Sequence, residues 1–241
     1  MYQPRTYRHW VKDTDLVSFD VAVRETDLRI RARRNLSRKA LKAVEKYRDA
    51  IEKYIECYPV FLTTLQPFPV QNNASLIVKE MAWATEAVSI GPMAAVAGAI
   101  AEAVGKELMV FSPEVIVENG GDIFLKTERK RTVGIYAGNS PLSGKVVLEI
   151  EPGETPLGIC TSSGTVGHSL SLGKADAVIV LASSAALADA AATAAGNLVE
   201  KAEDIEKGIE FVQRVDHVKG VVIIKGDKMG VWGDVKLTPI E

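Results

Sequence analysis

The chain has 241 residues, a formal net charge of −2 and only two cysteines, Cys57 and Cys160. This length suits one large domain or two small ones, and the near-neutral charge offers no electrostatic basis for nucleic-acid binding. The cysteines lack metal-ligand spacing, which indicates reduced thiols and a cytoplasmic location. Neither a signal-peptide pattern nor an uninterrupted apolar run of membrane-spanning length is present, so we expect no membrane partner.

Hydrophobic periodicity predicts strands first and helices next in the first half of the chain. Residues 15–34 alternate as in a β-hairpin, and from Ser37 an amphipathic pattern predicts a long helix that ends near Pro59. Three prolines exclude a regular helix over residues 58–69. A second helical region is expected from Ala74 or Ser75. It breaks at Gly91-Pro92, continues over residues 93–107, and is followed by strands at 114–118, 122–126 and 132–137.

The second half repeats this order of elements. Its predicted elements are strands at 145–151, 158–161 and 177–182, a helix from Ser183 or Ser184 to Asn197, a helix near Glu203, and strands at 220–225 and 229–237. Turn-forming residues 138–144 mark a boundary between the halves. Clustered strands and helices predict an α+β fold in which antiparallel sheet carries helices on one face.

The stretch Glu118-Asn119-Gly120-Gly121-Asp122 is the first candidate for a functional segment. Asn-Gly favours a hairpin turn, which is one interpretation of this segment. Two glycines also leave the backbone bare, so a ligand can approach it between the polar side chains of Asn119 and Asp122.

Asp189 and Thr193 are four residues apart in an alanine-rich predicted helix and therefore share one face. A carboxylate beside a hydroxyl is hard-oxygen chemistry, which suits Mg²⁺ or Ca²⁺ better than zinc. In the alternative interpretation, Asp189 accepts hydrogen bonds from a neighbouring loop and Thr193 bonds back to its own helix.

Residues 161–169 combine hydroxyl groups, two glycines and His168. Ser162, Ser163 and Gly164 offer groups that can bind phosphate, and His168 offers a group that can move a proton. A solvated polar loop is the alternative, since the glycine spacing fits neither a P-loop nor a dinucleotide fingerprint.

The glycine turn followed downstream by Ala188-Asp189-Ala190-Ala191-Ala192-Thr193 resembles the paired signature of the ApbE-like superfamily, whose best-known members are FAD:protein FMN transferases. The similarity covers roughly residues 90–200 and is greatest to a shorter archaeal and bacterial branch. It implies a duplicated T-fold-like architecture: a single domain made of two pseudo-repeats, about residues 1–138 and 144–241.

The resemblance also implies site roles. Asp189, Thr193 and a backbone carbonyl near Ala192 match Mg²⁺ ligands, the segment 119–122 lines a site for FAD or FMN, and Ser163-Gly164 and His168 match a ligand-binding pair and a catalytic histidine. Together these imply a flavin or other phosphorylated nucleotide as ligand and phosphoryl- or nucleotidyl-transfer chemistry.

Two departures from the superfamily pattern leave other functions open. No Asp-Pro follows His168, and the helix before the glycine turn has no lysine in its Ala-Gly segment, where transferases carry Ala-Lys-Gly; such a lysine could stabilise phosphate charge. The alternatives are a non-catalytic flavin carrier and an accessory protein in the sulfur or homocysteine metabolism of anaerobes. In the accessory protein, the small-residue helices would form a homo-oligomer interface.

Overall fold

The computed structural model describes residues 15–165 and 172–239. Within these ranges the α-helices are α1 (Ser37–Cys57), α2 (Val60–Thr63), α3 (Leu76–Glu86), α4 (Val96–Met109), α5 (Ala185–Gly196) and α6 (Ile205–Val212). The strands are β1 (Val17–Val23), β2 (Thr26–Ala32), β3 (Val115–Asn119), β4 (Asp122–Lys126), β5 (Arg131–Gly134), β6 (Val146–Ile150), β7 (Leu157–Ser162), β8 (Ala177–Ala182), β9 (Val218–Lys225), β10 (Lys228–Gly233) and β11 (Leu237–Pro239).

One antiparallel sheet of eight strands organises the fold, in the order β1-β2-β3-β4-β7-β8-β9-β10. Each half of the chain supplies four neighbouring strands, and in each half the helices connect the second strand to the third. The halves meet where β4 pairs with β7. This arrangement confirms the α+β class with antiparallel sheet; the division into two T-fold-like pseudo-repeats stays a prediction.

The inner strands of the large sheet are buried on both faces, whereas the outer strands β1 and β10 are partly exposed. Val221 and Ile223 of β9 point into the cluster beneath the helices, while Val222 and Ile224 point into a second cluster beneath the small sheet β11-β6-β5. Strands that are covered on both sides need apolar residues at every position, which explains the continuous run 177–182 in the sequence.

Most predicted elements are confirmed to within a few residues, with two differences. The single turn of helix α2 lies inside the proline-containing segment 58–69, from which we excluded regular helix. The predicted strand 229–237 is two strands, β10 and β11, which pair in different sheets. The chain leaves β10 at Gly233, whose φ of 86° is readily available only to glycine.

None of the helices in the described ranges is both long and apolar enough to cross a membrane. Cys57 is exposed and Cys160 is buried, and both are free thiols.

The buried carboxylate of Glu114, directly before β3, connects the large sheet to strand β5 of the small sheet. Glu114 is fully buried; its Oε2 atom accepts hydrogen bonds from Thr127 Oγ1 (2.6 Å) and Arg131 Nη2 (2.7 Å), and its Oε1 atom lies 2.5 Å from Arg33 Nη2. Arg131 also donates to both carboxylate oxygens of Asp15. Burial alone would raise the pKa of Glu114, but the hydrogen bonds and the charge of Arg131 lower that pKa to about 2.

Replacing Glu114 with glutamine should lower the free energy of unfolding at pH 7 by about 3 kcal/mol, because Arg131 loses a buried counter-charge. A depressed folded-state pKa contributes stability above the unfolded value of 4.5, and that contribution is lost as the pH falls toward about 2. Urea unfolding from pH 7 to pH 2 should therefore give a flatter pH profile for Glu114→Gln than for the wild type. Exposed Glu206→Gln is the control, and equal slopes for both variants would contradict this role of Glu114.

Candidate functional site

The double-glycine segment is a tight hairpin between β3 and β4, in which Asn119 pairs with Asp122. Gly120 and Gly121 both have positive φ (69° and 111°), as a two-residue hairpin turn requires. Glu118 Oε1 accepts a hydrogen bond from Gly121 N at 3.0 Å and so helps to hold the turn. The hairpin interpretation is therefore confirmed. Whether the hairpin also belongs to a site depends on the residues that it contacts.

Helices α4 and α5 cross above this hairpin with almost no space between their backbones. A Cβ atom on Gly98 would lie 2.2 Å from the carbonyl oxygen of Ala185 and 2.9 Å from Asp189 Cβ, so only glycine fits at this crossing. Nearly all of the small residues of α5 are buried inside the chain. They form an internal packing surface within the chain, and the homo-oligomer stays a prediction.

Two side-chain hydrogen bonds connect the hairpin, α4 and α5. Asp189 Oδ2 accepts from Gly98 N at 2.9 Å, in the first turn of α4. Asn119 Nδ2 donates to Ala97 O at 3.1 Å. The structure therefore brings Asn119 and Asp189 to two adjacent residues of α4, although they are 70 positions apart in the sequence.

Two carboxylates, those of Asp122 and Asp189, dominate the electrostatics of this region. Burial raises the pKa of Asp189 well above its usual range, and the negative charge of Asp122 raises it further, against the hydrogen bonds from the α4 backbone. Burial also raises the pKa of the Cys160 thiol, with further increases from Asp122 and Asp189. Asp122 Oδ1 accepts a hydrogen bond from Thr161 N at 3.3 Å. Asp122, Cys160 and Asp189 therefore form one electrostatic cluster beneath the helix crossing.

The oxygen atoms of this cluster suit Mg²⁺ when part of its coordination comes from a ligand. The described ranges contain no cluster of three or more His, Cys, Asp and Glu residues that could hold a metal ion by itself. Mg²⁺ is usually held by one or two carboxylates together with water and phosphate oxygens, so a complete protein cage is not required. A divalent cation would also relieve the repulsion between Asp122 and Asp189.

The other predicted ligand residues differ in how far their side chains are buried. Thr193 is partly buried one turn beyond Asp189 on α5, and Ala192 is buried. Ser162 is buried at the end of β7, whereas Gly164 donates its N–H to Ala175 O at 2.9 Å and Ser163 lies beside Thr165. The serine-glycine segment is thus held by residues 173–176. His168 lies outside the described residues.

Glu102 is a buried member of this region that the sequence did not single out. It is the one acidic residue among the small and apolar residues of α4 between Val96 and Gly105, and its side chain contacts the start of α5. The sequence signal that could have identified Glu102 is a single carboxylate in an apolar stretch of helix, because a buried charge needs partners.

A family model described as "AbpE bacteria" matches residues 8–219. A UPF0280 protein from Methanococcus aeolicus is 43% identical over 201 residues, which is 81% of each chain. UPF0280 protein MJ1526 from Methanocaldococcus jannaschii is 40% identical over 221 residues, covering 89% of this chain and 90% of the relative.

Among solved structures, the flavin transferase ApbE from Vibrio cholerae matches with a TM-score of 0.61 at 14% identity, covering 90% of this chain and 96% of that chain. The apo flavinyl transferase ApbE from Pseudomonas stutzeri matches with a TM-score of 0.58 at 12% identity, covering 90% and 94%. At these identities the likeness shows the fold, which is therefore that of ApbE flavin transferases.

Gly98→Ala should push α4 and α5 apart and lower the free energy of unfolding by about 2 to 3 kcal/mol, because the added methyl overlaps the carbonyl oxygen of Ala185. Thermal and urea unfolding measure this loss. Gly153→Ala is the matched control, since nothing lies within 4 Å of a Cβ atom at that position. Equal stability of the two variants would show that the helices do not pack as closely as described.

Proposed function

Because the chain belongs to the AbpE bacteria family and to the UPF0280 proteins, we propose that it binds a flavin or related phosphorylated nucleotide with Mg²⁺ where the glycine hairpin meets α4 and α5. The proposal rests mainly on one observation: the hairpin and α5 meet at the start of α4, where Asn119 Nδ2 donates to Ala97 O and Asp189 Oδ2 accepts from Gly98 N. Burial and the charge of Asp122 raise the pKa of Asp189 at this meeting point. A carboxylate whose pKa is raised by burial and by a specific neighbouring charge is typical of functional sites.

In this proposal the metal ligands are Asp189, the Thr193 hydroxyl and a backbone carbonyl near Ala192, and Asp122 adds negative charge. When bound, Mg²⁺ would supply positive charge that neutralises the phosphates of the nucleotide. The bare backbone of Gly120 and Gly121, between Asn119 and Asp122, would form the wall against which the ligand lies. Ser162, Ser163 and Gly164 would contact its phosphates.

The chemistry that fits this ligand set is nucleotidyl transfer. For FAD, a hydroxyl oxygen of the acceptor would attack the phosphorus on the flavin side of the pyrophosphate, and the bond to the AMP oxygen would break. AMP would leave, and the acceptor proton would pass to His168 as the proposed base. The transfer of flavin in the structural neighbours, as their names state it, supports this reaction class.

A second candidate, binding without turnover, has its own support. Ala97 directly precedes Gly98 on α4, at the place where the resemblance would put a lysine. Without that cation the site lacks one group that could stabilise developing charge on phosphate. The protein would then act as a flavin carrier or as an accessory protein in sulfur or homocysteine metabolism.

Isothermal titration of the full chain with FAD, FMN and ADP, with and without Mg²⁺, tests the proposal. We expect saturable FAD binding that weakens at least tenfold when Mg²⁺ is removed. Chromatography of the same mixtures for AMP and FMN separates the candidates: released AMP supports transfer, and binding without any product supports the carrier. No binding of any of the three nucleotides would contradict both.

Asp189→Asn separates a metal ligand from a structural side chain. Asparagine keeps an oxygen that can accept from Gly98 N and removes the repulsion with Asp122, so the melting temperature should be equal to or higher than that of the wild type. Mg²⁺-dependent FAD binding should nevertheless fall at least tenfold, as titration would measure.

Asp204→Asn is the matched control for this variant. Asp204 is a buried carboxylate that accepts hydrogen bonds from the backbone amides of Glu200 and Lys201, ahead of α6. Asp204→Asn should not change the affinity for FAD. Unchanged affinity in Asp189→Asn would show that Asp189 serves only to hold α4.

A further inference from the structure

The two carboxylate oxygens of Glu102 on α4 contact different groups: one binds the start of α5 and the other pairs with Lys106. Its Oε2 atom accepts from Ser184 Oγ (2.8 Å), Ala185 N (2.6 Å) and, at the longer distance of 3.4 Å, Ala186 N, which are the first donors of α5. Its Oε1 atom pairs with Lys106 Nζ at 2.8 Å. Glu102 therefore provides an acceptor for the N-terminus of a helix other than its own.

The arrangement is reciprocal. Asp189 on α5 accepts from Gly98 N in the first turn of α4, and Glu102 on α4 accepts from Ala185 N in the first turn of α5. In each helix the carboxylate follows the donating amide by four residues, so it lies one turn further along on the same side. Neither helix start can shift without losing the partner that the other helix supplies.

We propose that Glu102 is a positioning residue for the nucleotide and metal site. It fixes the first turn of α5 and thereby fixes Asp189, which lies one turn beyond. This inference rests on the proposed function, because it assigns to Glu102 a role in the same site without contact between Glu102 and the ligand.

The chemistry of the contact explains why a carboxylate is favoured at this position. The first amides of a helix have no partner within the helix and carry partial positive charge, so an anionic acceptor suits them better than a neutral one. The side chain of Glu102 is only 6% exposed, which excludes water as a substitute acceptor. Lys106 balances its charge, and Lys106 Nζ also lies 3.7 Å from Glu80 Oε1.

The reciprocal bonds also explain why the effect should reach Asp189 specifically. Ser184 caps its own helix, since its Oγ atom accepts from Leu187 N, and the same hydroxyl donates to Glu102. Removing Glu102 therefore loosens the turn that immediately precedes Asp189. Asp189 in turn would hold Gly98 N less firmly.

Three variants of the full chain test the inference by titration with FAD in the presence of Mg²⁺. Glu102→Ala should weaken FAD binding about tenfold, the loss expected from one buried helix cap. Glu102→Gln keeps an acceptor oxygen and should restore affinity to within about threefold of the wild type. Asp204→Ala removes another buried carboxylate that accepts from backbone amides, those of Glu200 and Lys201 ahead of α6, and it should lower the melting temperature without changing the affinity for FAD.

A second measurement needs no ligand. Hydrogen–deuterium exchange of the Gly98 amide, followed by NMR, should be about tenfold faster in Glu102→Ala than in the wild type and unchanged in Asp204→Ala. If the wild type binds no nucleotide while Gly98 exchange responds to Glu102 as stated, the proposed function fails and the structural coupling of the two caps stands.

Two results would overturn the positioning role. One is wild-type FAD affinity in Glu102→Ala; the other is an equal loss of affinity in Glu102→Ala and Asp204→Ala, which would indicate general destabilisation. If Glu102→Ala does not fold, Ser184→Ala replaces it, because that variant removes one donor and leaves the carboxylate in place. It should weaken FAD binding about threefold, and an unchanged affinity would then refute the proposal.

Discussion

The close crossing of α4 and α5 is the constraint on which the site depends. Two helix starts that are buried against each other leave several amides without water, and each start must find an acceptor elsewhere. Here each helix supplies the other's acceptor, and glycine at position 98 permits the approach that brings them within reach. The exchange makes Asp189 a structural element and a proposed ligand at once. Because Asp189 accepts from the start of α4, its carboxylate is held in place although the charge of Asp122 disfavours its charged form.

The sheet places this crossing at the seam between the halves of the chain. β4 and β7 pair there, the hairpin that ends in Asp122 is contributed by the first half, and α5 is contributed by the second. Gly158 of β7 permits a similarly close approach of two backbones, since a Cβ atom there would lie 2.4 Å from Ala185 Cα. Small residues at the seam therefore let the backbones approach closely, and the polar side chains between them become the candidate site.

Local pattern was sufficient to predict most of the fold, because helices and strands of this chain carry clear periodicities and turn residues. The hairpin at Asn119 and the start of α5 at Ser184 were both predictable in this way. The roles of Glu102 and Gly98 were not, because they depend on partners more than eighty positions away. The buried network of Glu114 was also missed, because Arg131 lies on a different sheet 17 positions later and its other partner, Asp15, is 116 positions from Arg131.

The long separation between these partners has a consequence for how the chain acquires its site. Contacts between residues far apart in sequence form late in folding, since closing a long loop costs entropy before the contact stabilises anything. The bonds from Gly98 to Asp189 and from Ala185 to Glu102 span 91 and 83 positions. Helices and hairpins of each half can form before those bonds exist. We therefore expect the candidate site to assemble late, so that a ligand would bind only chains in which both halves have docked.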